Sequence, residues 1–296
     1  MQHDYAATAI AAGETARIVA ARTTDIVREA QARHDCSPTV TAGLGRLLTG
    51  AALLGMGLSG SERLTLQING NGPVRFLVAE AMPGGRVRGY PGRARAEVPL
   101  NANGKFDVGG AIGSGSLHVT RIYDTGLPYT SAVPLRSGEI GDDLAYYFAN
   151  SEQVPSVVAV GVLANPQGVL AAGGIIAQLL PGADASTIET LERSARALPQ
   201  ISSLVRAGLT PEQMIERFAE GLEPRVSHVQ PLAFSCLCNR TRVVRALVTL
   251  GMEALREMAA ANEDTEATCD FCGQRYYFAP DEIGKILGAA SAQDAS

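Results

Sequence analysis

Cys236-Leu237-Cys238 and Cys269-Asp270-Phe271-Cys272 are two closely spaced cysteine pairs near the end of the chain, and they hold four of its five cysteines. Thiolates are soft ligands that suit Zn²⁺, which takes four ligands in a tetrahedron. The second pair has a spacing typical of zinc knuckles, whereas the first pair is unusually tight. We therefore predict a small C-terminal domain with one Zn²⁺ per chain, bound by Cys236, Cys238, Cys269 and Cys272.

The same spacing also permits redox chemistry. A disulfide between residues i and i+2 lies at the edge of the allowed geometry and is readily reduced, whereas a C-x-x-C pair closes more easily. Zinc-bound thiolates still react with peroxide or hypochlorous acid, and each sulfur has a resolving partner beside it. Two interpretations therefore stand, a closed structural zinc site and a redox switch, and the spacing alone favours the first.

Length and composition limit the other classes of protein. The chain has 296 residues, enough for two domains, and is 46% hydrophobic, 19% charged and −5 in net charge. The chain has no tryptophan and its arginines are scattered among acidic residues, so nothing in the composition suggests a nucleic-acid partner. The longest apolar run, residues 41–58, is interrupted by Arg46 and favours a buried helix over a membrane span. No secretory signal is apparent, so we expect a cytoplasmic protein whose paired cysteines indicate metal binding or redox sensing.

Residues 1–183 are predicted to form an α+β domain with a largely antiparallel sheet and packed helices. Alternating apolar residues and turn signals predict strands at 63–68, 74–78, 86–90, 116–123, 129–133 and 156–163. Helices are predicted at 14–32, 41–58 and 137–151. In the last of these, Asp142 and Asp143 are expected on the solvent face.

Candidate catalytic features in this domain favour structural roles over catalytic ones. Cys36 is expected to be a small buried apolar side chain, although His34 nearby leaves a reactive role open. Gly113-Ser114-Gly115-Ser116 is followed by neither a lysine nor a helix start, so it does not indicate a phosphate loop. His118 is expected to be a packed or surface residue. We therefore predict no catalytic residues and no enzymatic activity.

Residues 184–230 are predicted to form a metastable helical linker. Ser186 and Glu189 form one apparent capping box, and Thr210-Pro211-Glu212-Gln213 forms another. Helices of about 12 residues are marginal in isolation, so this segment depends on whatever it packs against. It is a candidate for an order-to-disorder transition.

Residues 231–288 are predicted to form the zinc-binding domain, and residues 289–296 a disordered tail. A single helical stripe is expected between the cysteine pairs, formed by Val243, Leu247, Leu250, Ala254 and Met258. This core is scant, and zinc can supply about 10–16 kcal/mol of apparent folding free energy to such a domain. Loss of zinc should therefore unfold it.

The chain resembles the bacterial 33 kDa heat shock protein family of redox-regulated holdase chaperones over nearly its whole length. The similarity rests on C-x-C and C-x-x-C, on Cys-Asp-Phe-Cys-Gly-x-x-Tyr at 269–276, and on the stretches 137–155 and 173–183. The chain departs from the family at Asn239-Arg240-Thr241-Arg242, where relatives often carry an acidic residue. The extra positive charge should lower the thiol pKa values and alter the sensitivity to oxidant.

The resemblance implies that the reduced, zinc-bound form is inactive. Oxidation would form Cys269–Cys272 and Cys236–Cys238 disulfides, release zinc, and unfold the metal domain and then the linker. Exposed apolar surface would then bind unfolding client proteins without ATP, and the active form would be a homodimer. The resemblance implies neither a nucleic-acid nor a membrane partner.

Two other functions remain open at this point. A structural Cys₄ zinc ribbon could contact RNA or ribosomes through Arg240, Arg242, Arg245 and Arg275. A thiol-disulfide oxidoreductase would need its C-x-x-C at a helix N-terminus in a thioredoxin-like setting, which the sequence does not indicate.

Overall fold

The computed structural model describes residues 3–165, 167–261 and 263–294. The chain divides into two compact units, residues 1–235, which we name the core unit, and residues 236–296, which we name the cysteine unit. Both combine helices with antiparallel strands, as an α+β fold requires.

The core unit contains two sheets and several helices. Its strands are β1 (Tyr5–Ala11), β2 (Ala16–Arg22), β3 (Arg63–Gly70), β4 (Phe76–Met82), β5 (Arg86–Pro91), β6 (Gly115–Ile122), β7 (Tyr129–Pro134), β8 (Ser156–Asn165), β9 (Gly168–Leu179), β10 (Arg225–Pro231) and β11 (Ala233–Phe234). Its α-helices are α1 (Thr24–His34), α2 (Pro38–Leu54), α3 (Val108–Ile112), α4 (Gly141–Tyr147), α5 (Ala185–Ala197), α6 (Ile201–Arg206) and α7 (Pro211–Phe218). A π-helical turn, Phe148–Glu152, follows α4.

The strands form two sheets of different order. Sheet A has the order β10-β1-β2-β9-β8 and is antiparallel throughout. Sheet B has the order β11-β5-β4-β3-β6-β7 and is antiparallel except for the short pairing of β11 with β5. The predicted antiparallel α+β architecture is confirmed.

Helix α2 is the centre of the main core. Pro38 occupies the first turn, and the Ser37 hydroxyl accepts a hydrogen bond from the Val40 N–H at 3.4 Å. Most of the helix is buried, and it packs against strands of both sheets. Leu44, Leu47 and Leu48 therefore lie in one apolar cluster with the inner faces of sheets A and B.

A second cluster covers the opposite face of sheet A. Small and branched side chains of β1, β2 and β9 pack there against apolar residues of α5, α6 and α7, the cover helices. The amphipathic pattern of these helices places Met214, Ile215 and Phe218 at 1% exposure or less. Helices α5–α7 belong to the region predicted to be a linker, and in this structure they are folded.

Several local predictions were wrong for identifiable reasons. The predicted helix at 14–32 is strand β2 followed by α1, because Ala12 and Gly13 adopt left-handed conformations that turn the chain into a hairpin. Helix α5 is capped by Asp184, whose carboxylate accepts from the Thr187 N–H at 2.8 Å, and not by Ser186. The predicted capping box of Thr210 is confirmed.

Asp143 is the clearest correction in the core unit. Asp142 is exposed as predicted, but Asp143 is fully buried. The Asp143 carboxylate accepts hydrogen bonds from the backbone N–H groups of Arg136 at 2.7 Å, Ser137 at 3.1 Å and Ile140 at 3.1 Å. It therefore organises the loop before α4, a role that helical periodicity does not predict.

The cysteine unit contains α8 (Arg240–Thr249), α9 (Met252–Ala260), β12 (Thr265–Thr268), β13 (Arg275–Phe278) and α10 (Pro280–Asp294). The predicted single helix is divided at Gly251, whose φ of 94° ends α8, and Leu250 is exposed. Helix α10 extends to Asp294, into the segment predicted to be a disordered tail, and residues 295–296 lie outside the described residues.

Candidate metal centre

The two cysteine pairs lie on different kinds of backbone. Cys236 and Cys238 occupy an irregular segment just before α8, whose first turn is capped by the Asn239 side chain accepting from the Arg242 N–H at 2.9 Å. Cys269 and Cys272 lie in the connection between β12 and β13. There the Gly273 N–H donates to the Cys269 carbonyl at 2.8 Å, and Gly273 adopts a φ of 71° that suits glycine.

All four sulfur atoms converge. The Sγ atoms of Cys236, Cys238, Cys269 and Cys272 lie within 4.8 Å of one another. The Cys236–Cys269 and Cys238–Cys272 sulfur pairs are separated by 3.7 and 3.4 Å. A tetrahedral zinc with Zn–S bonds of about 2.3 Å needs sulfur atoms about 3.8 Å apart, so the spacing fits such an ion.

The electrostatics of the cluster also fit a cation. Burial raises the pKa of the Cys272 thiol, and hydrogen bonds with neighbouring sulfurs raise it further. Burial and the adjacent Cys236 raise the pKa of Cys269 in the same direction. Crowded sulfurs resist carrying several negative charges together, and a divalent ion offsets that repulsion. Four sulfur donors with no oxygen ligand among them suit Zn²⁺ better than a hard cation.

Tyr276 adds a contact that the sequence pattern did not reveal. Its hydroxyl donates a hydrogen bond to the Cys238 sulfur at 3.2 Å, and this bond raises the pKa of Tyr276 to about 12. Tyr276 lies on β13, where Tyr277 is half-exposed and Phe278 is buried. The sequence showed this residue only as the last position of the Cys-Asp-Phe-Cys-Gly-x-x-Tyr motif.

The arginines considered for RNA contact are partly engaged with acids. Arg240 donates to Glu282 at 2.8 Å, and its guanidinium lies 4.2 Å above the Phe278 ring. Arg275 forms an ion pair with Glu266 at 3.5 Å. These pairs reduce the positive field that the RNA-binding interpretation requires, and they direct the Arg240 charge toward Glu282.

The other candidate residues lie in the core unit and do not form a catalytic group. Burial raises the pKa of Cys36 to about 12, as expected for an inert thiol. His118 is half-buried on β6, and one of its ring nitrogens lies 2.8 Å from the Ser116 hydroxyl. Gly113 has a φ of 74° and connects α3 to β6, so the glycine-rich stretch does not precede a helix.

These features define a class of protein in which an α+β core unit is followed by a small unit whose four converging cysteines could hold a metal ion. A sequence model described as "Hsp33 protein" matches residues 4–279, and the chain belongs to the Hsp33 family.

Comparisons with individual proteins agree with this membership. A 33 kDa chaperonin of Geobacillus sp. (strain WCH70) is 40% identical over 294 residues, covering 98% of this chain and 99% of the relative. The 33 kDa chaperonin of Bacillus subtilis (strain 168) is 42% identical over 284 residues, covering 95% and 97%. The crystal structure of an Hsp33 homologue from Thermotoga maritima aligns with a TM-score of 0.91 at 38% identity, covering 99% of this chain and all of that one.

The chain is therefore a member of a chaperone family. Within the residues that the structure describes, no helix is both long and apolar enough to span a membrane.

Proposed function

We propose that this chain is an ATP-independent holdase chaperone that oxidation activates. The observation that carries this proposal is the apolar cluster between sheet A and the cover helices α5–α7. Ile18, Ala20 and Ile175 of the sheet lie against Leu204 and Phe218 of the helices, all within this cluster. Release of the helices would expose a broad apolar face on a sheet that remains folded, and such faces bind other polypeptides.

The cover helices are suited to release because they are short. Helix α5 has 13 residues, α6 has six and α7 has eight. Helices of this length draw their stability from tertiary packing. The segment can therefore open at a lower free energy than the core cluster around α2.

The metal centre provides the oxidation-sensitive element in this proposal. Among the described residues, the buried apolar cluster of the cysteine unit is limited to Leu247, Leu255, Phe278 and Ile283. Zinc held by the four cysteines would supply about 10–16 kcal/mol toward folding such a unit. Loss of the thiolate ligands would therefore unfold it.

The redox step needs one two-electron oxidant for each disulfide. With hydrogen peroxide, one cysteine sulfur attacks an oxygen, the O–O bond breaks, and a sulfenic acid and water result. The neighbouring thiol then attacks the sulfenic sulfur, forming the S–S bond and releasing a second water. Cys269 and Cys272 should react first because a C-x-x-C disulfide closes with less strain than the one between Cys236 and Cys238.

The order of disulfide formation has a direct test. Partly oxidised protein is quenched, digested and analysed by mass spectrometry. The proposal expects Cys269–Cys272 as the earliest disulfide, and an earlier Cys236–Cys238 disulfide would contradict it.

The overall switch is tested by measuring zinc content together with suppression of client aggregation. Reduced protein should carry one zinc per chain and leave a thermally unfolding client unprotected. Oxidation should release the zinc and switch on holding activity. Zinc that stays bound, or that leaves without any gain in holding activity, would reduce the cysteine cluster to a structural site.

The remaining parts of the proposal concern assembly and setting. The active oxidised form is a homodimer, which analytical ultracentrifugation before and after oxidation would test. The chain acts in the cytoplasm on unfolding proteins, without a nucleic-acid or membrane partner and without catalytic turnover. Salt-sensitive RNA binding by the reduced form in a filter assay would contradict this part.

A further inference from the structure

The Tyr276 hydroxyl donates a hydrogen bond to the Cys238 sulfur at 3.2 Å, and that sulfur also lies 3.4 Å from the Cys272 sulfur. The second cysteine pair receives a different kind of support. Cys269 accepts from the backbone N–H of Phe271, and Cys272 accepts from that of Gln274. A turn fixes those backbone donors, whereas Cys238 accepts from the side-chain hydroxyl of Tyr276 on β13.

We infer that Tyr276 is a positioning residue of the redox switch, which holds the Cys238 sulfur in place as a metal ligand and lowers its reactivity toward oxidants. This inference rests on the proposed function for its biological meaning. The chemistry itself concerns only the contact between one hydroxyl and one sulfur.

The first effect follows from how outer-shell donors act on ligands. A donor to a ligating side chain fixes the direction of that ligand, and removing such donors typically costs about 10–100-fold in metal affinity. Tyr276 is well placed for this because its ring packs at the edge of the cluster that contains Phe278 and Leu247. The ring position is therefore set by packing, and the hydroxyl position follows from it.

The second effect is on reactivity. A hydrogen bond to a thiolate stabilises its negative charge and so weakens it as a nucleophile. Cys238 should therefore react slowly while Tyr276 donates to it. Backbone N–H groups donate to Cys269 and Cys272 as well, so the strain of the Cys236–Cys238 disulfide sets the order of the two pairs. The Tyr276 hydrogen bond slows Cys238 relative to the same sulfur without that donor.

The test compares Tyr276→Phe with Tyr277→Phe. The first change removes the hydroxyl and keeps the ring. The second removes a hydroxyl from the next residue on β13, whose side chain is 50% exposed and points to the other side of the hairpin. Two quantities are measured in the reduced, zinc-loaded full chain: zinc affinity by competition with a chromophoric chelator, and the modification rate of each cysteine under limiting peroxide by mass spectrometry.

Tyr276→Phe is expected to weaken zinc affinity by about tenfold or more. It should also raise the modification rate of Cys238 relative to Cys269, so that Cys236–Cys238 disulfides appear earlier. Tyr277→Phe should leave both quantities at the wild-type values. Holding activity is not a readout of this test. A chain that fails to hold clients after oxidation would contradict the proposed function, but the cysteine modification rates would still decide the role of Tyr276.

Two results would overturn the inference. One is wild-type affinity and wild-type cysteine rates in Tyr276→Phe. The other is weaker zinc binding with all four cysteines accelerated equally, because that pattern reports general loosening of the unit and not a contact specific to Cys238.

Discussion

Replacing Phe218 by alanine should activate the reduced, zinc-bound chain without any oxidant. Phe218 lies on α7, is 1% exposed, and packs in the cluster that joins the cover helices to sheet A. The substitution leaves all four metal-centre cysteines unchanged. It therefore separates release of the cover helices from oxidation, two steps that occur together in the proposed switch.

The magnitude follows from burial. Truncating a fully buried phenylalanine to alanine typically costs about 3–5 kcal/mol. The cover helices open at a lower free energy than the whole core unit, whose free energy of unfolding should be about 5–15 kcal/mol. Since each 1.4 kcal/mol is about tenfold, the open population should rise about 100-fold or more.

Two measurements on reduced protein check this expectation. Hydrogen exchange should accelerate in residues 185–218, and aggregation of a thermally unfolding client should be suppressed. Phe148→Ala is the matched control, because Phe148 is 2% exposed but belongs to the cluster around α2. It should lower the global unfolding free energy without conferring holding activity on the reduced chain.

One pattern would refute the reasoning. If Phe218→Ala accelerates exchange in residues 185–218 but the reduced chain still fails to hold clients, the face of sheet A beneath the cover helices is not the client-binding surface. The proposal would then lose the observation that carries it.

Three further predictions concern the metal and two buried carboxylates. Chelating zinc from reduced protein should abolish exchange protection in residues 236–294 and leave that of α2 intact, because the cysteine unit has so small an apolar core. Asp143→Asn should cost about 1–3 kcal/mol in urea unfolding, since its carboxylate accepts several backbone hydrogen bonds, whereas Asp142→Asn should be near neutral. Burial raises the pKa of the Asp4 carboxyl to about 6, so the stability that its protonated form contributes is complete below about pH 4 and is lost as the pH rises to about 6. The free energy of unfolding of the wild type in urea should therefore fall by up to about 3 kcal/mol over that window. Asp4→Asn should abolish this fall.

The sequence allowed prediction of sheet B but not of most of sheet A. Strands β3 and β6 alternate apolar and polar residues because one face of sheet B is buried more deeply than the other. Strands β2 and β9 lie between the α2 cluster and the cover helices, so both of their faces are buried. Their continuous runs of small and branched apolar residues carry no period-two signal, and the sequence consequently predicts helix where the structure has β2.

In the candidate metal centre, too, some features could be predicted from local sequence and others depend on the tertiary fold. Cysteine chemistry and spacing were enough to predict which four side chains would converge. Tyr276 could not be assigned because its contact with Cys238 depends on how β13 and the segment before α8 come together. The predicted solvent exposure of Asp143 was wrong for a similar reason. Helical periodicity distinguishes the faces of a helix, but it does not reveal that a preceding loop folds back over one of them.

In the proposed switch, strand β10 would connect unfolding at the cysteines to the cover helices. It follows α7 along the chain, pairs with β1 as an edge strand of sheet A, and precedes Cys236 by only a few residues. Most of β10 is exposed, and its pairing with β1 is interrupted by an irregularity between Thr8 and Ala9. Between β10 and Cys236, Leu232 is buried and donates to the Asp4 carbonyl at 3.0 Å, and β11 pairs with β5. Unfolding that begins beyond Cys236 would have to break these contacts before it reached β10, whose low burial as an edge strand gives it low local stability. Once β10 leaves, α7 would lose its attachment on the C-terminal side. The packing of Phe218 and the hydrogen bond that the Tyr5 hydroxyl donates to Glu212 at 2.8 Å would then hold the cover helices on sheet A.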